Sequence, residues 1–469
     1  MSKRTVTSLL LFVAMVFLAS CARPTPIPIY VTPTPAGPTA VPTVTTEATQ
    51  TSTATPTAAS PTPSPLPPTP ADGTVYGPVI PPGYTLPPTT TPRPTDTPAP
   101  GTTTVTPTPS ITPTPPPGLD PMRIGVQIHP RITREDWEQM MHWAAELKVG
   151  WIKVQFAWDE MEPDGAGIQS EYWRQLELYM QDALNRKFQV MVSITKAPDW
   201  ARPTTEENGP PSNPQALVDF INHILSRFGP AIHAIEVWNE PNLKREWTGA
   251  PMNGREYMRY FDAAYRAITT WSQQNSHPIT VVTAGLAPTG NSEWSVDDRV
   301  FLQQMYQAGL ANYQGVAIGI HPYAWGNAPS ERCCNNVEGR SWDDDPHFFF
   351  LDTIEAYRQI MLQYGDADAQ LWTTEFGWAT YDGFGVEPPQ PFFAYVNEQL
   401  QAQYTIEALD IIQNSGNYDY MGPMMLWNLN FATLPDTVAR REEQAGYSLL
   451  RPDFSRRPVY AALYAALNR

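Results

Sequence analysis

From residue 122 onward, short runs of apolar and β-favouring residues alternate with stretches whose apolar residues recur at helical spacing, eight times over. The β-like runs lie at 122–128, 151–156, 189–194, 233–238, 279–285, 315–320, 370–374 and 421–427. The helical stretches lie at 133–148, 170–187, 214–228, 253–274, 296–308, 349–363, 392–414 and 457–468. In the first of them Thr133 is placed to cap, and Trp137, Met140, Met141, Ala144 and Leu147 form one apolar face. Strands that alternate with helices imply a parallel sheet. Eight such units in about 350 residues predict an α/β fold of the (β/α)8, or TIM-barrel, type. An open doubly wound sheet is the alternative, but no glycine-rich phosphate fingerprint follows the first run.

A barrel of this kind gathers its chemistry just past the C-terminal ends of its strands, and the unusual polar and aromatic residues fall there. The first run ends in His129, the second is followed by Trp158, Asp159 and Glu160, and the third by Asp199 and Trp200. The fourth ends in Trp238-Asn239-Glu240-Pro241-Asn242, the sixth in His321-Pro322-Tyr323, the seventh in Glu375-Phe376-Gly377-Trp378 and the eighth in Trp427-Asn428. Indole faces stack on the apolar faces of sugar rings, and a pair of carboxyl groups can cleave a glycosidic bond. One donates a proton to the leaving oxygen, while the other attacks the sugar carbon or activates water. Glu240 and Glu375 end the fourth and seventh strands and are expected to point into one mouth. A Glu-Pro pair alone is an ordinary strand-ending turn; beside Asn239, with a partner on strand seven, it reads as catalytic. No Gly-x-Ser-x-Gly elbow is present, and no His, Cys and Asp cluster has metal-ligand spacing, so neither a metal nor another cofactor is expected.

WNEPN followed 135 residues later by the Glu of TTEFGW resembles clan A of the glycoside hydrolases, in its cellulase-like and xylosidase-like members (families 5 and 39). The resemblance covers nearly all of 120–469. It implies Glu240 as general acid/base with a raised pKa, Glu375 as nucleophile, and Asn239 as the partner of the sugar 2-hydroxyl. It further implies that Tyr323 hydrogen-bonds Glu375, that His321 lines the same wall, and that Trp427 floors the subsite of the attacked sugar. The clan retains configuration, which requires carboxyl groups about 5–5.5 Å apart. In one respect the sequence departs from the pattern. Many members carry an Arg on strand two, whereas the same-face residues here are Lys153 and Gln155, and alternation does not say which reaches Glu375. His129 and Trp378 are further candidates for sugar contact. Trp200 reads as core and Glu160 as a surface carboxylate.

The N-terminal part has another composition. Residues 22–118 hold 29 of the 52 prolines and none of the 15 tryptophans. Such a Pro/Thr-rich segment cannot bury enough apolar surface to offset its backbone entropy, and is expected to be a disordered linker. Extended as polyproline II it would reach about 300 Å at roughly 3.1 Å per residue. Residues 1–21 read as an export signal: Lys3 and Arg4, an apolar stretch from Val6 to Leu18, then Leu18-Ala19-Ser20-Cys21. That tetrapeptide looks like a lipobox, with Cys21 the lipidated residue, and implies a protein anchored to the outer face of a bacterial membrane. Residues 119–469 would then be the extracellular catalytic domain.

The adjacent Cys333 and Cys334 form a vicinal disulfide or remain free thiols. They lie in the long loop 324–347, expected to cap one side of the cleft with Trp325 and Trp342. The run Asp343 to Asp345 could bind Ca2+, but reads in preference as a solvated acidic turn. A net charge of −17 argues against nucleic acid as a partner. The expected activity is retaining hydrolysis of O-glycosidic bonds in a polysaccharide or oligosaccharide, by a monomer. A non-catalytic carbohydrate-binding lipoprotein and a transglycosylase using the same site are the alternatives.

Overall fold

The computed structural model describes residues 118–334 and 344–468. Cys21, Trp342, Asp343 and the segment 1–117 lie outside the described residues. Eight parallel strands close into a barrel in sequence order: β1 (Ile124–Gln127), β2 (Trp151–Ala157), β3 (Gln189–Thr195), β4 (Ala234–Val237), β5 (Thr280–Thr283), β6 (Val316–Ile320), β7 (Leu371–Phe376) and β8 (Met421–Leu426). Each pairs with the next, and β1 pairs with β8 through Gly125↔Met425. The fold is the predicted (β/α)8 barrel.

One long helix follows each strand: α1 (Arg134–Leu147), α2 (Glu171–Asn185), α3 (Pro214–Phe228), α4 (Gly254–Asn275), α5 (Asp298–Gln307), α6 (Phe350–Gln363), α7 (Glu398–Asn414) and α8 (Pro458–Leu467). Their starts are set by side chains that take up orphan backbone N–H groups. The Thr133 hydroxyl accepts from Asp136 N at 3.1 Å, and Asn253 Oδ1 accepts from Glu256 N at 2.9 Å. Pro214 and Pro458 begin α3 and α8, where no N–H is needed. The region expected to start one helix at 392 instead forms a short 3-10 turn, Pro391–Ala394, before Asn397 caps α7.

Strand residues facing outward, such as Val126, Ile152, Val192 and Ile235, are fully buried against the helices. Those facing inward stack in layers, because successive inward positions are two residues apart. The lowest layer is apolar: Trp151, Met191, Ala234, Val282, Ala317, Trp372 and Met425. Trp151 and Trp372 meet edge to face at 5.3 Å and close the floor. Two residues further along the same strands the character changes to Gln127, Lys153, Ser193, Glu236 and Thr374, all essentially without solvent exposure. An apolar floor under a charged layer is what brings the site's electrostatics about.

Candidate active site

In the WNEPN turn, Trp238 and Glu240 both adopt left-handed backbone, with φ of 77° and 43°. Non-glycine residues pay for that conformation, at about 1–3 kcal/mol each, only where surroundings over-determine it. Asn242 supplies the restraint. It is fully buried; its Nδ2 donates to Ala287 O and Val296 O, and its Oδ1 accepts from Ala287 N. Glu240 N donates to Gly285 O at 3.0 Å, which pins the turn to the end of β5. The acid at the strand tip is therefore aimed by a local knot of hydrogen bonds.

Glu375 reaches the barrel interior by another device. Trp372 points inward, so strict alternation would turn residue 375 outward. The β7–β8 register slips between Thr373↔Met424 and Phe376↔Leu426, an irregularity of the kind that re-aims side chains next to active sites. Glu375 Oε1 then accepts from Lys153 Nζ at 2.9 Å and from Gln155 Nε2 at 3.4 Å, and Oε2 accepts from the Tyr323 hydroxyl at 3.1 Å. Lys153 and Gln155 thus both reach, with the lysine the closer.

Lys153 is also bound to a second acid. Its Nζ lies 3.1 Å from Glu236 Oε2 and donates to Thr374 O at 3.0 Å, so all three of its protons are used. Glu236 accepts in addition from the Ser193 hydroxyl and from Gly285 N. Burial alone would raise its carboxyl, but Lys153, His321 and Ser193 outweigh burial and hold it well below the usual range. His321 sits among three carboxylates. Its Nδ1 is 3.0 Å from Glu240 Oε1 and 4.0 Å from Glu375 Oε2; its Nε2 is 3.8 Å from Glu236 Oε1, an ion-pair distance too long for a hydrogen bond. Burial disfavours the imidazolium, yet these acids raise its pKa to about 9.

Glu240 corrects one expectation. Burial pushes its pKa up, but His321 and Arg245 more than cancel that, and the net direction is downward. Arg245 donates to Glu240 Oε2 at 2.9 Å from a half-buried position five residues on. In this arrangement Glu240 is a carboxylate clamped by two cations.

Aromatic rings close the mouth above β6 to β8. Trp427 is half-buried, with Tyr447 at 4.8 Å and Tyr323 at 5.9 Å. Trp325 extends the cluster to Phe348 and Phe392. Asn239 lies beside Glu240 in the turn; its Oδ1 is buried and has no hydrogen-bond partner among the described residues. His129 stands at the rim of β1 against Phe431, where burial, then Lys196 and Arg131, lower its pKa to about 4.

The cellulase family model, glycosyl hydrolase family 5, matches residues 120–422, well over half of the chain. The chain belongs to glycosyl hydrolase family 5. A search of the curated proteins finds no match to this family 5 chain. Among solved structures it is similar to a family 39 glycoside hydrolase from Bacteroides cellulosilyticus WH2, with 17% identity and a TM-score of 0.53, over 73% of this chain and 63% of that one. It is also similar to a glucosidase from Croceicoccus marinus, with 10% identity and a TM-score of 0.52, over 75% of this chain and 68% of that one. A third is a GH5_18 protein from Bifidobacterium longum subsp. infantis, with 12% identity and a TM-score of 0.52, over 74% and 78%. At such identities these likenesses show the shared barrel.

Three expectations for the family 5 chain are corrected. Trp378 is core: it is 2% exposed, packs on Phe350 and Tyr404, and donates to Asn327 O at 2.8 Å. Trp200 is the reverse, 39% exposed and lying edge-on to Trp158. Cys333 and Cys334 are joined in a disulfide, but it docks on the outer helices and not on the cleft wall. Cys333 N donates to Asp352 on α6, Arg332 pairs with Asp352 and Glu355, and Ser330 bonds Glu407 on α7. Sequence reasoning missed Glu236, Ser193, Gly285, Arg245 and Tyr447. Glu236 left a signal, a charge in the middle of the apolar run AIEVW.

Proposed function

We propose that this protein is a retaining β-glycosidase acting on a polysaccharide or oligosaccharide, with Glu375 as nucleophile and Glu240 as acid/base. One observation carries the reading. Two oxygens that lie 3.0 and 4.0 Å from the same His321 nitrogen cannot be more than about 7 Å apart. That limit accommodates the about 5–5.5 Å of retaining enzymes and leaves out most of the about 6.5–9.5 Å that inverting enzymes use to fit a water.

The partners divide the roles. Glu375 has Lys153 on one oxygen and the Tyr323 hydroxyl on the other, and these two contacts hold its attacking oxygen in place. Glu240 faces the acceptor side with Arg245. Glu375 attacks the anomeric carbon while Glu240 gives a proton to the leaving oxygen, which yields a glycosyl ester and a free alcohol. Water then attacks the same carbon, Glu240 takes its proton, and Glu375 leaves as carboxylate. A sugar oxygen that replaces Arg245 at Glu240 Oε2 removes one of the cations depressing its pKa, and so supports the proton-donor state. Asn239, with its unpartnered carbonyl oxygen, suits the 2-hydroxyl, and Trp427 suits the sugar face. We assign residues 119–469 as the catalytic domain, 22–118 as a linker, and Cys21 as a lipid anchor holding a monomer outside the cell.

The test uses full-length protein on a panel of aryl β-glycosides and polysaccharides, beside Glu240→Ala and Glu375→Ala. Loss of activity in both, with azide restoring Glu240→Ala on an activated aryl glycoside, is the expected result. Turnover that survives Glu375→Ala would sink the assignment. Longer oligosaccharides in place of free reducing sugar would mark a transglycosylase.

A further inference from the structure

A second cluster of ionisable side chains lies away from the catalytic carboxylates, where the N-terminus of α5 meets the segment before α6. His347 is 9% exposed. Its Nδ1 is 2.6 Å from Asp345 Oδ1, and its Nε2 is 3.2 Å from Asp297 Oδ2 and 3.4 Å from Asp298 Oδ1. One potential ligand atom from each of Asp297, Asp298 and His347 lies within 4.8 Å of the others.

Asp298 needs explanation. It has no solvent exposure, and among the described residues neither carboxylate oxygen makes a hydrogen bond of good geometry, although the Tyr357 hydroxyl and His347 Nε2 are close. A buried acid in that state is costly unless it is neutralised or bound by a cation. Three carboxylates surround one imidazole, with Arg299 nearby donating to Pro346 O. Even with His347 protonated the acids outnumber that imidazolium.

The geometry fits an ion. A metal about 2.0 Å from each ligand, with tetrahedral angles, sets its ligands about 3.3 Å apart. The observed 3.2 and 3.4 Å from Nε2 to the two carboxylates are that spacing. Asp345 on Nδ1 fixes the ring, as a carboxylate bonded to the other ring nitrogen does for metal-bound histidines. Asp297 uses Oδ1 to cap α5 through Arg299 N and Val300 N, so Oδ2, which meets His347 Nε2 at 3.2 Å, is the oxygen turned toward the cluster. Imidazole with two carboxylates favours a zinc-type ion over calcium, which takes six to eight oxygens at about 2.3–2.6 Å.

We propose that Asp297, Asp298 and His347 bind a divalent transition-metal ion of the zinc class, which pins the loop after β6 to the start of α5. The two sides are fifty residues apart in sequence, so no local motif announces them.

Full-length protein is stripped with a chelator and titrated separately with Zn2+, Mn2+ and Ca2+, with bound metal counted by elemental analysis. One zinc per chain is expected, with a melting temperature raised by roughly 5 °C at a hundredfold excess over Kd. Asp298→Asn and His347→Gln should each lose that equivalent and that shift. Asp345→Asn, which keeps all three ligands, should bind about 10–100-fold more weakly. If the ligand variants fail to fold, wild-type stoichiometry and the Asp345→Asn affinity still decide. No zinc on the wild type, zinc equally on Asp298→Asn, or binding of calcium alone would overturn the proposal.

Discussion

Replacing Lys153 by methionine keeps most of the length of the unbranched side chain and removes its charge. The structure sets the size of the effect. Lys153 has no exposure and three acceptors, two of them carboxylates that are themselves buried. Taking one partner from a buried ion pair costs about 3–5 kcal/mol, because the other charge is left uncompensated. For a folded unit of this size that lowers the melting temperature by about 4–7 °C. The pH dependence identifies the cause. In the wild type Glu236 titrates below its unfolded value, so its contribution to stability is present above about pH 4.5 and is lost as pH falls toward the folded pKa. Without Lys153, burial dominates and raises Glu236, which can then fold as a neutral acid. The deficit of the variant should therefore be largest at pH 7 and narrow toward pH 4.5. Urea unfolding of the full chain followed by tryptophan fluorescence reads both points, since all 15 tryptophans lie beyond residue 118. Adding Glu236→Leu should recover part of the loss. A deficit below about 1 kcal/mol at pH 7, or one that does not change with pH, would refute the argument.

Arg245→Gln removes a cation that depresses Glu240, so the Glu240 pKa rises. If Glu240 is the proton donor, the limb of kcat/KM that falls with rising pH should move to higher pH; an unmoved limb would separate Arg245 from the acid. Gly285→Ala would drive a methyl into the His321 ring and the Thr374 hydroxyl, and should reduce kcat by about 10-fold or more with the fold intact by circular dichroism. Such a drop is roughly the effect of weakening one charged hydrogen bond.

The alternation of apolar runs made the barrel readable, and the strand ends differ from those expected by only a few residues. The position of an acid at a strand tip made Glu240 readable as well. What was hidden depended on contacts between strands that are not neighbours. Whether Lys153 or Gln155 approaches Glu375 is a matter of height inside the barrel between β2 and β7, and periodicity within one strand carries no such information. Trp378 follows the irregular part of β7, where counting by twos fails. Trp200 was misjudged because size and hydrophobicity favour burial, while the turn after β3 leaves the ring half outside. Arg245 sits in a short 3-10 turn without any period. Glu236 was the exception: its charge inside AIEVW was visible, and the inward face it shares with Ala234 could have been inferred.

The charged layer hangs from strands, whereas Trp325, Trp427 and Tyr447 hang from connections and strand ends along the rim. These two sets answer to different constraints. A change at Lys153, Glu236 or Ser193 disturbs a closed set of buried charges and is punished at once by the fold. A change at Trp325, Trp427 or Tyr447 alters what the mouth offers to a ligand and leaves that buried set in place. A lineage that keeps this barrel can exchange one sugar for another by rewriting the connections, while the machinery beneath them is inherited unchanged.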